Sequence, residues 1–168
     1  MERAARISSF QGPWGPIWLA FTSRGLCGLS LRGGREDVVR RLRSRWDDCV
    51  LETDPRAHKQ VIPQLREYFQ GRRRRFQLPL DLRGTPFQIA VWKALMEIPF
   101  GETRSYQDVA VRVKRPLAMR AVGQANGRNP IPIIVPCHRV IRSSGELGGY
   151  GGGLDLKRRL LELEARAR

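Results

Sequence analysis

The apolar run from Pro132 to Ile141 is the sequence feature that most restricts how this chain can fold. It carries Cys137 and His138 side by side, immediately after Pro136. Proline fixes its own φ angle and has no N–H to donate to a strand ladder. Regular strand pairing therefore has to stop here, and we expect Cys137 to be held rigidly at the end of a strand or in the wall of a pocket.

A neighbouring cysteine and histidine can serve either packing or chemistry. The thiolate is the nucleophilic form of cysteine, and an adjacent imidazole or cation lowers the pKa of the thiol. A cysteine outside a disulfide is more often only a small buried hydrophobe. Taken alone, the pair favours packing, so the decision depends on the surrounding residues.

Charge indicates the kind of partner. The chain of 168 residues has 31 Lys+Arg and 16 Asp+Glu, which gives a formal net charge of +15. This excess favours a polyanion, and nucleic acid is the first candidate. A basic surface that has no such partner is the alternative.

Cysteine usage and hydropathy restrict the location and the cofactors. Cys27, Cys49 and Cys137 are an odd number without paired spacing, which argues against a disulfide framework. His58 and His138 add no zinc-ligand spacing, so we expect neither a metal nor a cofactor. No apolar run has the length of a membrane span, and no signal-peptide core is present. These features predict a soluble, cytoplasmic protein without a membrane partner.

The first part of the sequence predicts a mixed α/β domain that ends near Arg83-Gly84, which gives domains 1–83 and 84–168. Short apolar runs between turn residues predict strands, and apolar residues at helical spacing predict helices. The expected strands are Arg6–Phe10, Ile17–Phe21, Leu26–Leu31 and Cys49–Leu51. The expected helices are Glu36–Trp46 and a segment that Asp54-Pro55 begins, Pro63 bends or interrupts, and Gly71 ends.

Two capped helices open the second part of the chain. Thr85–Gln88 forms a capping box, and apolar residues with a 3.6-residue period follow it. Ser105–Asp108 caps the next helix in the same way, and Lys114–Pro116 ends that helix. The expected buried residues of the first helix are Phe87, Ala90, Val91, Ala94, Leu95 and Ile98.

A further short helix at Leu117–Asn126 completes a helix-turn-helix pattern. Most helical hairpins are only structural, but Arg120 lies on the predicted outer face of this helix. A row of small residues also keeps the helix slim enough to approach a groove wall. These small residues are Ala118, Ala121, Gly123 and Ala125. Asn126–Pro130 follows as a predicted loop.

A glycine-rich segment and a final helix follow the cysteine. Gly148–Gly153 lacks a P-loop or dinucleotide fingerprint, so its glycines predict either a flexible loop or backbone that passes close to a ligand. In the second case Tyr150 would wall a flat pocket. Leu154–Ala165 is predicted to be a helix in which Glu164 lies beside the buried stripe. Burial of Glu164 would require a partner such as His138.

An ordered set of motifs runs from Thr85 to Gly153. The motifs are Thr85–Gln88, Ile98–Thr103, Ser105-Tyr106, Arg120–Gly123, Asn129-Pro130, Pro136–Val140 and Gly148–Gly153. In this order they resemble the C-terminal domain of the O6-alkylguanine-DNA alkyltransferases (methylated-DNA–protein-cysteine methyltransferases). The N-terminal part is similar only in looser patterns at Gly15-Pro16 and Gly25–Leu29.

The resemblance implies a fold and an activity. It implies an α/β N-terminal domain resembling ribonuclease H and a mainly α C-terminal domain, in which a helix-turn-helix accompanies a short strand or loop segment with the active site. The implied reaction is the irreversible, single-turnover transfer of an alkyl group from O6 of guanine to Cys137, after minor-groove binding and base flipping. The implied partner is double-stranded DNA containing O6-alkylguanine, bound by a monomer. Activity on O4-alkylthymine and cooperative assembly on DNA stay open.

The resemblance and the residue chemistry together predict three sets of site residues. The catalytic set is Cys137, His138, Glu164, Asn129 and Tyr106. The substrate-binding set is Tyr106, Pro132, Val140, Ser143, Tyr150 and Gly151. The DNA-binding set is Arg120, Tyr106, Gln107, Arg115, Arg128 and Ser143. By resemblance, Arg120 fills the space that the flipped base leaves, and Tyr106 helps to rotate the phosphate.

The expected proton transfer involves His138 and Glu164. Neighbouring side chains on an extended segment point to opposite sides, so we expect a water between His138 and Cys137. Glu164 would fix the imidazole tautomer and stabilise its cation. By resemblance, Asn129 orders the turn that carries the cysteine.

The leaving guanine needs hydrogen-bond donors. The Tyr106 hydroxyl and backbone N–H groups near Val140 and Ser143 are the expected donors. Gly151 stands where some members of the family have serine, which would widen the pocket.

Two other function classes account for parts of the sequence. A module that only recognises lesions would bind DNA without chemistry, but related lesion binders lack the cysteine. A Cys-His hydrolase without DNA would turn over repeatedly, and its activity would not depend on Arg120.

Overall fold

The structure is a computed structural model and describes residues 5–43, 51–52 and 54–167. The chain divides into two compact units, Met1–Arg83 and Gly84–Arg168. Within the described residues, each unit has its own set of buried apolar side chains. The first unit is built on a sheet, and the second is mainly helical.

The sheet of the first unit confirms the predicted strands Arg6–Phe10, Ile17–Phe21 and Leu26–Leu31, whereas most of the predicted strand Cys49–Leu51 lies outside the described residues. The described strands are β1 (Ala5–Gly12), β2 (Gly15–Thr22), β3 (Gly25–Ser30) and β4 (Leu51–Glu52). Their order in the sheet is β3-β2-β1-β4, with β4 parallel to β1 and the other pairs antiparallel. Gly25 has a φ of 148°, and a Cβ there would lie 2.2 Å from the carbonyl oxygen of Pro79. Glycine is therefore required where the segment around Pro79 passes β3.

The helices of the first unit differ from the prediction in detail. Helix α1 covers Arg35–Arg43, and positions 44–50, with Trp46 and Cys49, lie outside the described residues, as does the side chain of His58. A π-helical segment at Ala57–Val61 precedes helix α2 (Ile62–Phe69). Pro63 lies in the first turn of α2, which confirms the predicted interruption. The π-helical segment begins after Arg56, but Asp54 Oδ1 accepts from the Arg56 backbone N–H at 2.8 Å, as expected of a capping aspartate.

Two capping boxes confirm the predicted helix starts in the second unit. Helix α3 (Pro86–Met96) is capped by Thr85 and Gln88, and helix α4 (Tyr106–Arg112) by Ser105 and Asp108. Trp92 is fully buried in α3, and its Nε1 donates to the Ala125 carbonyl at 2.8 Å. The expected burial of Ala90 is wrong, because that residue is exposed.

The second helix of the helix-turn-helix is shifted relative to its prediction. Helix α5 covers Met119–Gly127, so Leu117 lies before it and is 99% exposed. Asn126 and Gly127 belong to the helix and not to the predicted loop. Val122, Ala125 and Asn126 are its buried residues. This placement leaves Arg120 exposed in the first turn of α5.

The cysteine-bearing run ends in a turn and a short strand pair. Cys137–Arg139 forms a 3-10 turn, and strand β6 (Val140–Ile141) pairs in parallel with β5 (Arg104–Ser105). The last helix, α6, covers Leu154–Arg166 and buries Leu156, Lys157, Leu160 and Glu164. Among the described residues, no helix has both the length and the apolar character needed to cross a membrane.

Candidate active site

A constrained turn holds Cys137 in the interior of the second unit. The backbone N–H of Cys137 donates to the Val135 carbonyl at 2.8 Å, and the N–H of Arg139 donates to Pro136 at 3.0 Å. Ile133 is buried with a φ of 74°, a left-handed value that costs a residue about 1–3 kcal/mol. The surrounding structure therefore imposes the path of the chain into the cysteine.

Two asparagines fix this turn. Asn129 Nδ2 donates to the Val135 carbonyl at 2.6 Å, and its Oδ1 accepts from the Ile131 N–H at 3.0 Å. Asn126 Nδ2 donates to the carbonyl of Cys137 itself at 3.3 Å. Sequence reasoning selected Asn129 but missed Asn126, which it placed where the predicted helix meets the loop and to which it gave no role. Both amides satisfy backbone groups that a turn leaves without ladder partners.

The thiol of Cys137 is neutral at rest. Burial raises the pKa of Cys137 to about 11, although Asn129, Lys157 and Tyr150 favour the thiolate. Burial and the neighbouring Cys137 likewise raise the pKa of Tyr150 well above its ordinary value. The buried Tyr150 hydroxyl has no regular hydrogen bond within the described part of the chain, and Cys137 is the group it faces. A reaction at this sulfur therefore requires a base.

His138 and Glu164 meet directly. His138 Nε2 lies 2.6 Å from Glu164 Oε1, and both side chains are buried. Glu164 also accepts from the Gly101 backbone N–H at 3.0 Å and from two nitrogens of Arg139. Burial opposes ionisation of Glu164, but His138 and Arg139 outweigh it and hold the pKa well below its ordinary value. Glu164 is therefore a carboxylate with four donors around it.

His138 is held as a neutral imidazole. Burial lowers the pKa of His138 below 6.5, while Glu164 opposes the shift and Arg139 and Lys157 support it. Because Glu164 is ionised, Nε2 carries the proton and donates it, which leaves the lone pair on Nδ1. The sequence argument for opposite side-chain directions is wrong, since Cys137 and His138 lie on a 3-10 turn and not on an extended segment. The water between them stays a prediction.

A cavity of about 660 Å³ is lined in part by Asn126 and Tyr150, which interact with Cys137, although Cys137 itself is not in the lining. The sequence-predicted residues in its lining are Tyr106, Arg120, Ser143, Tyr150 and Gly151. Met119 and Arg142 also line it and were not predicted. Pro132 and Val140 are not part of this lining. The N–H of Val140 itself donates to the Cys137 carbonyl, and the predicted backbone donors near Val140 and Ser143 stay a prediction.

Tyr106 is packed between helix α5 and the glycine-rich segment. The backbone N–H of Gly149 donates to its hydroxyl, and burial raises the pKa of Tyr106. Gly148 has a φ of 70°, and a Cβ there would lie 2.7 Å from the Tyr106 hydroxyl oxygen. On the other side, a Cβ on Gly123 would contact the ring at 3.9 Å. Glycine at 148 therefore positions the tyrosine at the cavity.

Lys157 was missed entirely by sequence reasoning. Its side chain is buried, and Nζ donates to the carbonyls of Val140 at 2.6 Å, Gly149 at 3.2 Å and Leu147. Burial lowers its pKa to about 8, and Cys137 partly reverses this shift. One ammonium group thus connects the strand after the cysteine with the glycine-rich segment. A lysine next to Leu156 in an amphipathic pattern gives no signal of burial.

The predicted DNA-contacting residues lie on the helix-turn-helix. Arg115, Arg120 and Arg128 are exposed there. Gln107 is less available than expected, because its Nε2 donates to the Pro116 carbonyl at 3.1 Å across the turn. Within the described residues, no three or more His, Cys, Asp or Glu side chains are grouped so that they could hold a metal ion.

The fold and the site define a class of protein. It combines a ribonuclease-like α/β domain with a helix-turn-helix domain that carries a buried cysteine beside a cavity. Residues 6–82 match the family model of the 6-O-methylguanine DNA methyltransferase ribonuclease-like domain, and residues 86–166 match that of its DNA-binding domain. The chain therefore belongs to the 6-O-methylguanine DNA methyltransferase family.

Individual relatives agree with this assignment. The methylated-DNA–protein-cysteine methyltransferase of Mycobacterium bovis is 49% identical over 156 residues, which are 93% of this chain and 90% of the relative. That of Methanosarcina barkeri is 46% identical over 92% of this chain and 93% of the relative. A crystal structure of Mycobacterium tuberculosis OGT in complex with DNA has a TM-score of 0.82 and 46% identity, covering 98% of this chain and 94% of that one.

Proposed function

We propose that this protein repairs DNA by moving an alkyl group once and irreversibly from O6 of guanine in a duplex to Cys137. The observation that carries the proposal is the placement of one buried thiol. Asn129, Tyr150 and Lys157 surround it, the His138–Glu164 pair adjoins it, and a helix-turn-helix forms the wall of the neighbouring cavity. The relatives are named methylated-DNA–protein-cysteine methyltransferases, and a similar solved structure is a complex with DNA.

The proposed reaction is a displacement at the alkyl carbon. The Cys137 thiol gives its proton through a water to Nδ1 of His138, whose cation Glu164 stabilises. The sulfur forms a bond to the alkyl carbon while the carbon–O6 bond breaks, and its electron pair passes to the guanine. The Tyr106 hydroxyl donates a proton to the departing guanine, which stays in its DNA strand, and the proton taken up by His138 returns through water to the tyrosine oxygen. In the proposed reaction no step removes the alkyl group from the Cys137 sulfur, so each protein molecule reacts once.

Access to the sulfur requires the base to leave the helix. Cys137 is 4% exposed, so a base that stays stacked in a duplex cannot reach it. The cavity accepts the flipped nucleotide, and Arg120 on its rim fills the vacated space from the minor groove. Arg115 and Arg128 contact phosphates beside it. The absence of a side chain at Gly151 leaves room for alkyl groups larger than methyl, and O4-alkylthymine is a second proposed substrate.

One copy of the chain supplies all of these groups, so we propose that a monomer is active. Incubation of the protein with excess O6-methylguanine duplex tests the proposal. The expected result is removal of one methyl group per protein molecule and then arrest. Repeated turnover would indicate a hydrolase instead. Cys137→Ser is expected to bind the duplex without transfer, whereas Cys27→Ser transfers normally. Binding by both variants without transfer by the wild type would leave only a lesion-recognition role.

A further inference from the structure

Arg139 makes an extensive set of contacts for which the proposed chemistry has no use. It follows His138 on the 3-10 turn and is 5% exposed. Its Nε donates to Glu164 Oε2 at 2.9 Å, and Nη2 donates to Oε1 at 3.0 Å. Its Nη1 donates to the Ile98 carbonyl at 2.6 Å. This is a two-point attachment to the same carboxylate that accepts from His138.

The electrostatics of His138 depend on how this carboxylate is shared. Glu164 and Lys157 face the His138 imidazole from α6, and Arg139 and Cys137 lie with His138 on the turn. A buried carboxylate acting alone would stabilise the imidazolium and raise the pKa of His138. A histidine that is already protonated cannot take a proton from a thiol. The guanidinium bound to both carboxylate oxygens opposes that effect.

We propose that Arg139 is a positioning residue that sets the lower pH limit of the reaction. Its guanidinium fixes Glu164 as the acceptor of the His138 Nε2–H and cancels enough of the carboxylate charge for His138 to stay a neutral base. This inference rests on the proposed function, in which His138 receives the thiol proton through a water. It adds that the arginine after the histidine acts through the carboxylate and not on the alkylated base.

A purely structural role for Arg139 makes a different prediction. The side chain also joins the cysteine turn to the segment after α3, through Ile98 and through the Phe100 ring, whose centroid is 5.8 Å from the guanidinium carbon. Loss of that connection would lower stability and would reduce the transfer rate by the same factor at every pH. A change in the charge balance would instead move the pH at which the rate falls.

The test is the pH dependence of the single-turnover transfer rate for the wild type, Arg139→Gln, Arg139→Lys and the control Arg158→Gln. Arg158 is an exposed arginine of α6, so its variant makes the same charge change away from Glu164. For Arg139→Gln we expect the midpoint on the acid side of the rate profile to move to higher pH. At pH values below the midpoints of both proteins, the variant should be slower than the wild type by about tenfold for each pH unit of this shift. Near-wild-type rates should return at higher pH. Arg139→Lys keeps the positive charge, so its acid-side midpoint should lie close to that of the wild type.

A second measurement does not require activity, and its wild-type arm does not depend on the stability of an Arg139 variant. The chain has two histidines, so His58→Gln identifies the His138 imidazole in an NMR titration of the otherwise intact protein. We expect His138 to stay neutral to below pH 6.5, because its pKa is lowered, and to titrate higher in Arg139→Gln. A midpoint of Arg139→Gln that equals that of the wild type, or a wild-type His138 that titrates above its ordinary value, overturns the proposal. Failure of the proposed function would differ, because the wild type itself would then show no transfer at any pH.

Discussion

Within the described residues, each unit has a cysteine that is buried to the same extent, but the two cysteines have different neighbours. Cys27 and Cys137 are both 4% exposed. The neighbours of Cys27 in its core are Ala5, Ile7, Ala20, Val38 and Leu42. Those of Cys137 include two groups that favour a thiolate, Asn129 and Lys157, next to a cavity. Burial alone therefore does not distinguish a packing cysteine from a reacting one.

The same contrast holds for the arginine-paired carboxylates. Asp54 is fully buried and bound by Arg56, whose Nη2 also donates to the Thr22 carbonyl at 2.7 Å. Glu164 is equally buried and bound by Arg139, but it also accepts from His138. The first pair joins strand β2 to the start of the π-helical segment, whereas the second, in the mechanism that we propose, controls the base His138. The structural difference between the two is that a histidine next to Cys137 shares the carboxylate of the second pair.

The largest expected effect comes from neutralising each carboxylate in turn. Glu164→Gln should lower the transfer rate by about 100-fold, because His138 loses the group that orients it and stabilises its cation. Both Glu164→Gln and Asp54→Asn should lose stability, by about 3 and about 2 kcal/mol respectively, because each leaves an arginine without its carboxylate. Single-turnover rates and urea unfolding measure the two effects. If the Asp54→Asn variant is fully folded but transfers more slowly than the wild type, the proposed difference in function between the two ion pairs is wrong.

The next effect concerns the exposed arginine on the cavity rim. Arg120→Ala should reduce repair in a duplex by about tenfold or more, since unstacking the base then lacks a compensating contact. Reaction with free O6-benzylguanine should be nearly unchanged. Arg24→Ala, an exposed arginine of the first unit, is the matched control. Equal losses of Arg120→Ala on both substrates would refute the base-replacement role.

A smaller effect is expected at Gly148. Gly148→Ala forces a Cβ onto Tyr106 and strains a backbone with a φ of 70°, so we expect a few-fold slower transfer and a loss of about 1 kcal/mol. Gly34→Ala serves as the control, because a Cβ there makes only an ordinary contact with Glu36 at 3.6 Å. The measurement is the single-turnover transfer rate of both variants and the wild type at one pH. An unchanged rate in Gly148→Ala would show that Tyr106 needs no such positioning.

The smallest and most gradual effect is the acid dependence of stability. The pKa of His138 is lowered in the folded protein, so folding loses free energy as pH falls through the unfolded histidine value of about 6.5. The pKa values of Asp54 and Glu164 are also lowered, so their contributions are present above about pH 4 and are lost below it. Urea unfolding across this range should show both steps. Glu164→Gln should reduce the lower one, and an unchanged lower step would contradict the strength of this ion pair.

Local signals were enough to predict much of the fold. Capping boxes at Thr85 and Ser105 gave both helix starts, since they depend on residues three positions apart. The strands of the first unit followed from short apolar runs. The shift of α5 was not predictable, because Ala118 precedes it without a side-chain cap. Pro136 indicated that strand pairing stops at Cys137, but it did not indicate that the chain forms a 3-10 turn there.

The residues of the site could be predicted only where they belong to a recognisable sequence motif. Cys137, His138 and Glu164 were selected from the sequence. The structure brings His138 and Glu164 into contact and places Cys137 next to His138 on the same turn, but their chemical roles stay proposals. Lys157 and Arg139 could not be selected, because long-range contacts alone decide whether a basic side chain is buried. Each satisfies carbonyl or carboxylate groups from segments far apart in the sequence.

Peptide-level mass spectrometry after incubation with an O6-methylguanine duplex tests the central claim most directly. Cys27 and Cys137 lie in the same molecule with the same exposure, so each serves as the internal reference for the other. The account predicts a gain of about 14 Da, one hydrogen replaced by methyl, on the Cys137 peptide alone. Methyl on the Cys27 peptide, on both peptides or on neither would contradict it.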